Sequence, residues 1–175
     1  MIINDTPKYN EIWDYVYNKL GFAPSCKYRG HSLNCCLPFQ IDENYSVYAI
    51  ENMLDDQLDL LENTIREIFI NITKVGRKIY ALDWQHSAFL YDPRDISEQK
   101  SCRVNDARYT HGGYWAYFPA FYPDGDYFFF IEEKYEFGYL GHPWRQEIWI
   151  FVCDLMKEIE QRHPILKMEL HFLVV

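Results

Sequence analysis

The sequence predicts an α+β domain, with a mostly antiparallel sheet of about five to seven strands packed by about three helices. Tyr, Phe and Trp make up 18% of the residues, which is enough to fill a hydrophobic core. Only three segments repeat apolar residues at helical spacing, and the other apolar segments are short and bounded by turn residues. Because strands and helices seldom alternate, we expect an antiparallel sheet with its helices on one face. The length of 175 residues suits a single domain, 1–175.

The first two helices have recognisable starts and ends. Thr6-Pro7 predicts the start of the first, because Thr can cap a helix and Pro is tolerated in its first turn. Gly21 is a plausible stop, and residues 22–44 are predicted to be irregular. The second helix is predicted from about Asn52 to Gly76. Its apolar stripe is Leu54, Leu58, Leu61, Ile65, Ile68, Phe69 and Ile72.

Six segments are predicted to be strands because they are short and rich in aromatic and branched residues. Tyr127 to Ile131 lacks any polar alternation, which indicates a central strand buried on both faces. The others are Tyr45 to Ile50, Ile79 to Trp84, Ala88 to Tyr91, Tyr114 to Phe121 and Met168 to Val174, with a further short strand ending at Leu140.

Two further segments complete the predicted organisation. A third helix is expected to start near His142-Pro143 and to end before His163-Pro164, with a buried stripe that includes Ile148 and Leu155. Residues 92–113 are polar and are predicted to be a long loop, serving either as a functional flap or as a mobile insertion.

Charge and cysteine content limit the partners and the compartment. A formal net charge of −9 argues against nucleic-acid binding, which needs clustered Lys and Arg, but suits a basic protein partner. Five cysteines without a C-x-x-C pair favour reduced thiols and a cytoplasmic location. No secretory signal and no apolar run of membrane-spanning length is found, so no membrane association is expected.

The residues that could carry catalysis are Asp83, His86, Asp126 and His142. A His beside a carboxylate can act in general acid–base chemistry, and Asp83 with His86 or Asp126 with His142 could form such a pair. The same residue types bind zinc or iron, but their spacing matches no metal motif, so neither a metal site nor another cofactor is expected. The favoured interpretation is that these residues cap and brace turns.

Exposed aromatic residues could instead form a recognition surface, because such residues concentrate binding energy at interfaces. The candidates for binding are Trp84, Tyr109, Trp115, Tyr122 and Trp144. Since a domain this aromatic must also fill its core, the alternative is that most of them are packed inside.

Three blocks of sequence carry a resemblance to a known family. They are YALDWQH at 80–86, YPDGDY at 122–127 and FGYLGHPW at 137–144. In this order they resemble an uncharacterised bacterial family of unknown function, over about residues 9–160. The resemblance implies no activity, cofactor or site, and only that the three blocks belong together. A looser similarity, of size, acidity and class alone, connects the chain with the immunity proteins of bacterial toxin systems.

These observations favour a cytoplasmic protein-binding module, such as an inhibitor or immunity-type factor acting on a basic partner. The lack of a diagnostic catalytic motif favours a role other than an enzyme. The alternative is a small hydrolase with an Asp/His pocket formed by the four candidate residues. A homodimeric scaffold remains open.

Overall fold

The computed structural model describes residues 1–22, 44–151, 153–166 and 168–174. The predicted irregular segment 22–44 lies almost wholly outside these residues, and Cys26, Cys35 and Cys36 lie outside them too. The helices are α1 (Thr6–Asn18), α2 (Asp55–Ile72) and α3 (Cys153–Leu166), with a 3-10 turn at Ile96–Glu98. The strands are β1 (Tyr45–Ala49), β2 (Ile79–Asp83), β3 (Ala88–Tyr91), β4 (Cys102–Asn105), β5 (Gly113–Ala116), β6 (Phe128–Glu132), β7 (Gly138–His142), β8 (Glu147–Phe151) and β9 (Glu169–Val174).

Seven strands form one sheet in the order β3-β2-β6-β7-β8-β1-β9, and β4 and β5 form a separate two-stranded sheet. Every neighbouring pair is antiparallel, which confirms the predicted α+β class. The central position of β6, between β2 and β7, also confirms the prediction from its unbroken apolar sequence.

Helices cover both faces of the sheet, so the expectation of helices on one face is wrong. Phe130 of β6 belongs to the core cluster that contains α2 and α3, and its neighbour Phe129 belongs to the cluster that contains α1. Trp13 of α1 meets Phe129 edge-on, with ring centroids 5.8 Å apart. Adjacent residues of a strand point to opposite faces of the sheet. Because both faces of the large sheet are apolar, each must be packed against helices.

The starts of the first two helices differ slightly from the prediction. Asp5, rather than Thr6, caps α1, and its carboxylate accepts the backbone N–H of Lys8 at 3.0 Å. The second helix begins at Asp55, where the side chain of Gln57 accepts the backbone N–H of Leu54 at 2.9 Å. Of the predicted apolar stripe, Leu61, Ile65, Ile68 and Phe69 are buried and Leu58 and Ile72 are half-buried, whereas Leu54 precedes the helix and is 69% exposed. Each fully buried side chain contributes about 1.5–3 kcal/mol.

The third helix and the long loop are corrected by the structure. Residues 147–151, predicted to be helical, form β8, and α3 begins only at Cys153 and continues through Pro164 to Leu166. Residues 92–113 are not one loop: they contain the 3-10 turn and β4, and they end where β5 starts. Within the residues that the structure describes, no helix combines the length and apolarity needed to cross a bilayer.

Candidate functional site

The three sequence blocks meet at one end of the large sheet. Asp83 at the end of β2 pairs with Phe128 at the start of β6, and Phe128 pairs in turn with Gly141 near the end of β7. The next residue of β7, His142, ends that strand beside Glu147. Antiparallel pairing therefore places the polar residues of all three blocks at the same end of the sheet.

A tight turn between β2 and β3 brings His86 back to Asp83. The backbone N–H of Asp83 donates to Ser87 at 2.8 Å, and that of His86 donates to Asp83 at 3.0 Å. Gln85 takes the left-handed conformation in this turn, with φ at 64°. The result is a distance of 3.2 Å between Nδ1 of His86 and Oδ1 of Asp83.

Asp126 reaches the same imidazole from the segment before β6. Its Oδ1 accepts the backbone N–H of Tyr127 at 2.7 Å, and its Oδ2 lies 3.4 Å from Nδ1 of His86. The backbone N–H of Trp84 donates to the carbonyl of Tyr127 at 3.1 Å and ties the two segments together. We call Asp83, His86 and Asp126 the carboxylate–imidazole cluster, since their ligand-type atoms all lie within 4.8 Å of one another.

Burial changes the acidity of one member of this cluster. It raises the pKa of Asp83 to about 6, helped by the negative charge of Asp126 and opposed by the hydrogen bond and charge of His86. The His86 side chain is 62% exposed, so one side of the cluster is open to solvent. A carboxyl with a pKa of about 6 beside an imidazole is suited to proton transfer.

His142 does not belong to the cluster. It is fully buried at the end of β7, where its ring lies 4.8 Å from that of Tyr127, and burial lowers its pKa to about 4. Because residues 147–151 form β8, the chain after His142 does not enter the predicted helix, and the helical N–H groups expected from that helix are not formed there. Three of the four predicted catalytic candidates are therefore brought together, and the fourth is part of the core.

The sequence analysis did not predict a buried charge network that lies beside His142. Glu147 is 2% exposed, and its oxygens accept from Nε of Arg145 at 2.7 Å and from Nε1 of Trp149 at 3.1 Å. Nδ1 of His171 lies 3.2 Å from the same carboxylate. These contacts satisfy a charge that would otherwise be costly to bury, and the Arg145 guanidinium contributes to holding the pKa of Glu147 low despite its burial.

The exposed side of the carboxylate–imidazole cluster opens into a cleft of about 410 Å³. We call it the aromatic cleft, and its lining is Asp83, Gln85, His86, Ser87, Tyr109, Tyr114, Trp115 and Tyr117. Tyr109 and Trp115, both predicted binding residues, are about half exposed here. Tyr117 is 64% exposed and was not among the predicted binding residues; it follows the end of β5, in a segment that was predicted to continue as a strand to Phe121.

The other predicted binding residues lie elsewhere. Trp84 is half-buried, and its indole N–H donates to the hydroxyl of Tyr17 at 3.0 Å. Trp144 is 63% exposed in the turn between β7 and β8. Tyr122 is half-buried next to the apolar core beneath α2.

Tyr122 lies near carboxylates of two segments. One is helix α2, and the other is the turn that follows Tyr122 itself in the chain. Burial raises the pKa of its phenol, and four negative charges raise it further. These belong to Glu62, Asp124, Asp59 and Asp55, and together with Tyr122 they form what we call the acidic patch. Within the described ranges, Asp55, Asp59 and Asp124 form no ion pair, whereas Glu62 pairs with Arg66 at 3.1 Å.

Comparison with known proteins identifies the family. The family model described as "Protein of unknown function (DUF2716)" matches residues 4–156, and the chain belongs to that family. It is similar to "Uncharacterized protein YxiI" of Bacillus subtilis (strain 168), with 30% identity over 162 residues that cover 91% of each chain. No solved structure matches. The predicted resemblance to an uncharacterised bacterial family is thereby confirmed.

Proposed function

We propose that this member of the DUF2716 family is a cytoplasmic binding module that recognises a basic segment of another protein, as an inhibitor or immunity-type factor would. The observation that carries the proposal is the acidic patch around Tyr122. The predicted reduced state of the cysteines supports the cytoplasmic location, and the half-buried free thiol of Cys102 is consistent with it.

The charges of the patch are available to a partner. Acidic side chains elsewhere on the surface are often held by neighbouring cations, as in the pairs Lys74–Glu136 and Arg108–Asp106. Asp55, Asp59 and Asp124 have no such cation among the residues described, and all three are exposed. The negative electrostatic potential of their carboxylates therefore extends into the solvent. Uncompensated negative charge of this kind steers a basic protein and penalises an acidic one.

Apolar groups next to the charges supply the contact area that affinity requires. Leu54, the residue that caps the start of α2, is 69% exposed beside Asp55, and Tyr122 adds a phenol ring. Tyr is one of the residue types that are enriched in interface hot spots. The patch is also held rigidly, because Leu61 and Ile65 anchor α2 in the core, so binding needs little ordering of the chain.

Affinity capture from an extract of the native host tests the proposal. Asp59→Asn with Asp124→Asn removes two charges of the patch, and Asp14→Asn with Asp154→Asn removes two exposed charges elsewhere as the matched control. We expect the wild type and the control to retain the same basic protein, and the patch variant to bind the purified partner at least tenfold more weakly. Equal binding by the patch variant and the wild type, or a wild-type chain that enriches no basic protein, contradicts the proposal.

A second candidate function, a small hydrolase, is supported by the carboxylate–imidazole cluster. Its support is the raised pKa of Asp83, about 6, together with the 3.2 Å approach of His86 beside an open cleft. Turnover of a panel of chromogenic esters by the wild type, lost in His86→Ala and kept in His111→Ala, would favour it. Equal rates in wild type and His86→Ala would remove it.

A further inference from the structure

In the carboxylate–imidazole cluster one imidazole nitrogen faces two carboxylates instead of one. Nδ1 of His86 lies 3.2 Å from Asp83 Oδ1 and 3.4 Å from Asp126 Oδ2. An N–H to oxygen hydrogen bond spans about 2.7–3.2 Å, so the contact with Asp83 lies at the long end of that range and the contact with Asp126 lies beyond it. A single ring N–H also cannot point at two carboxylates, so a hydrogen-bonded arrangement serves at most one of them well.

The same spacing suits three ligands around one metal ion. Ligand atoms about 2.0–2.1 Å from a zinc ion stand about 3.3 Å apart at the corners of a tetrahedron. The two measured separations bracket that value, and they involve an imidazole nitrogen and two carboxylate oxygens, all of which bind zinc.

The charges around the cluster also favour a cation. No Lys or Arg in the described part of the chain forms an ion pair with Asp83 or Asp126, so two carboxylates face each other with only His86 between them. The side chain of Asp83 is 12% exposed and that of Asp126 is 29% exposed. Partly dehydrated like charges repel each other, and a divalent ion between them removes that repulsion.

Neighbouring groups hold the candidate ligand atoms in position. The backbone N–H of Tyr127 holds Oδ1 of Asp126, which leaves Oδ2 facing the imidazole. The hydrogen bond between His86 N–H and the Asp83 carbonyl fixes the turn that presents the ring. Supporting contacts of this type orient metal ligands. The aromatic cleft leaves the fourth position accessible to water or to a ligand.

We propose that Asp83, His86 and Asp126 bind a divalent transition-metal ion, zinc in the first instance, through Oδ1, Nδ1 and Oδ2 respectively. The site goes beyond the proposed binding function and is independent of it, because the acidic patch shares no residue with the cluster. Three protein ligands with an open fourth position are the arrangement of a zinc site that also takes up a small molecule.

Titration of zinc chloride into chelator-treated, reduced protein at pH 7.5 tests the site. Because other His and Cys residues also take up zinc, the decisive quantity is the difference between variants. We expect wild type and His111→Ala to bind one equivalent more than His86→Ala, and Asp126→Asn to weaken that equivalent at least tenfold. Cobalt should give the visible spectrum of a four-coordinate site in wild type and His111→Ala alone.

Equal stoichiometry and affinity in wild type and His86→Ala would overturn the proposal. The exposed position of His86 makes unfolding of that variant unexpected, and circular dichroism checks it. Should His86→Ala fail to fold, Asp126→Asn decides alone, because its amide oxygen still accepts the N–H of Tyr127. Unchanged zinc affinity in that variant would then count against the site. Binding of the basic protein partner is measured in the presence of chelator. That measurement therefore tests the proposed function whether or not the cluster binds zinc.

Discussion

Oδ2 of Asp126 lies 3.4 Å from Nδ1 of His86, although β3, β4 and β5 separate the two residues in the chain. The contact exists because β2 and β6 are neighbours and pair Asp83 with Phe128. The end of the sheet, rather than any local motif, therefore assembles the carboxylate–imidazole cluster.

Asp126→Asn should change stability in opposite directions with and without zinc. In chelator at pH 8, removing one of two like charges near Asp83 should raise the free energy of unfolding by up to about 1 kcal/mol. With excess zinc, the wild type should gain more stability than the variant, because only the native state of the wild type has the full ligand set. Urea unfolding in both buffers measures this, and a variant that is less stable in chelator would refute the repulsion argument.

Buried His142 should make the protein less stable in mild acid. The unfolded chain takes up a proton on this imidazole near pH 6.5, whereas the folded chain does so only near pH 4, where burial and Arg145 oppose the charge and Glu147 favours it. The free energy of unfolding therefore has its full value, as far as His142 is concerned, above pH 6.5. It decreases by about 3 kcal/mol as the pH falls toward 4.

His142→Asn checks this pH dependence, because it keeps an acceptor for the N–H of Arg145 but cannot titrate. The stability difference between the wild type and this variant should shrink between pH 7 and pH 4, whereas His111→Asn should follow the wild type. Parallel curves for wild type and His142→Asn, measured by urea unfolding, would show that His142 is not the titrating group.

Glu147→Gln should destabilise the protein strongly. It removes the carboxylate charge that pairs with the Arg145 guanidinium, which is 17% exposed, and breaking a buried pair from one side costs about 3–5 kcal/mol. Glu169→Gln is the matched control, because Glu169 is exposed on β9, and it should cost less than about 0.5 kcal/mol. Chemical unfolding compares the two, and similar losses in both would mean that the network contributes little.

Gly138→Ala should disrupt the packing between β7 and β8. A Cβ at this position would lie 1.7 Å from the Phe151 ring, which is itself buried, so the ring must move at a cost of about 3 kcal/mol. Gly76→Ala has open space and only a left-handed backbone to strain, and should cost about 1–2 kcal/mol. Thermal melts of the two variants give the comparison, and an equal loss would contradict the packing argument.

Much of the fold could be predicted where a single residue pattern had a single meaning. The spacing of Leu61, Ile65 and Ile68 fits a helix alone, and α2 is found there. The unbroken run of β6 required two covered faces, which should have predicted α1 opposite α2. The run at 147–151 was taken for helix because Ile148, Phe151 and Leu155 recur at helical spacing, although a short run rich in apolar residues fits either structure.

The site was only partly visible for the same reason. Asp83 and His86 stand close in the sequence, but the arrival of Asp126 depends on strand order, which spacing does not encode. Arg145, Glu147 and Trp149 recur at every second position, a signal that could have revealed their shared network had the segment been recognised as a strand.

Hydrogen–deuterium exchange on the complex with the captured partner tests the central claim, recognition of a basic protein by the acidic patch, most directly. The account predicts new protection at the start of α2, residues 55–62, and in the turn at 122–125. Protection confined to other segments, with these two unchanged on partner binding, would contradict it.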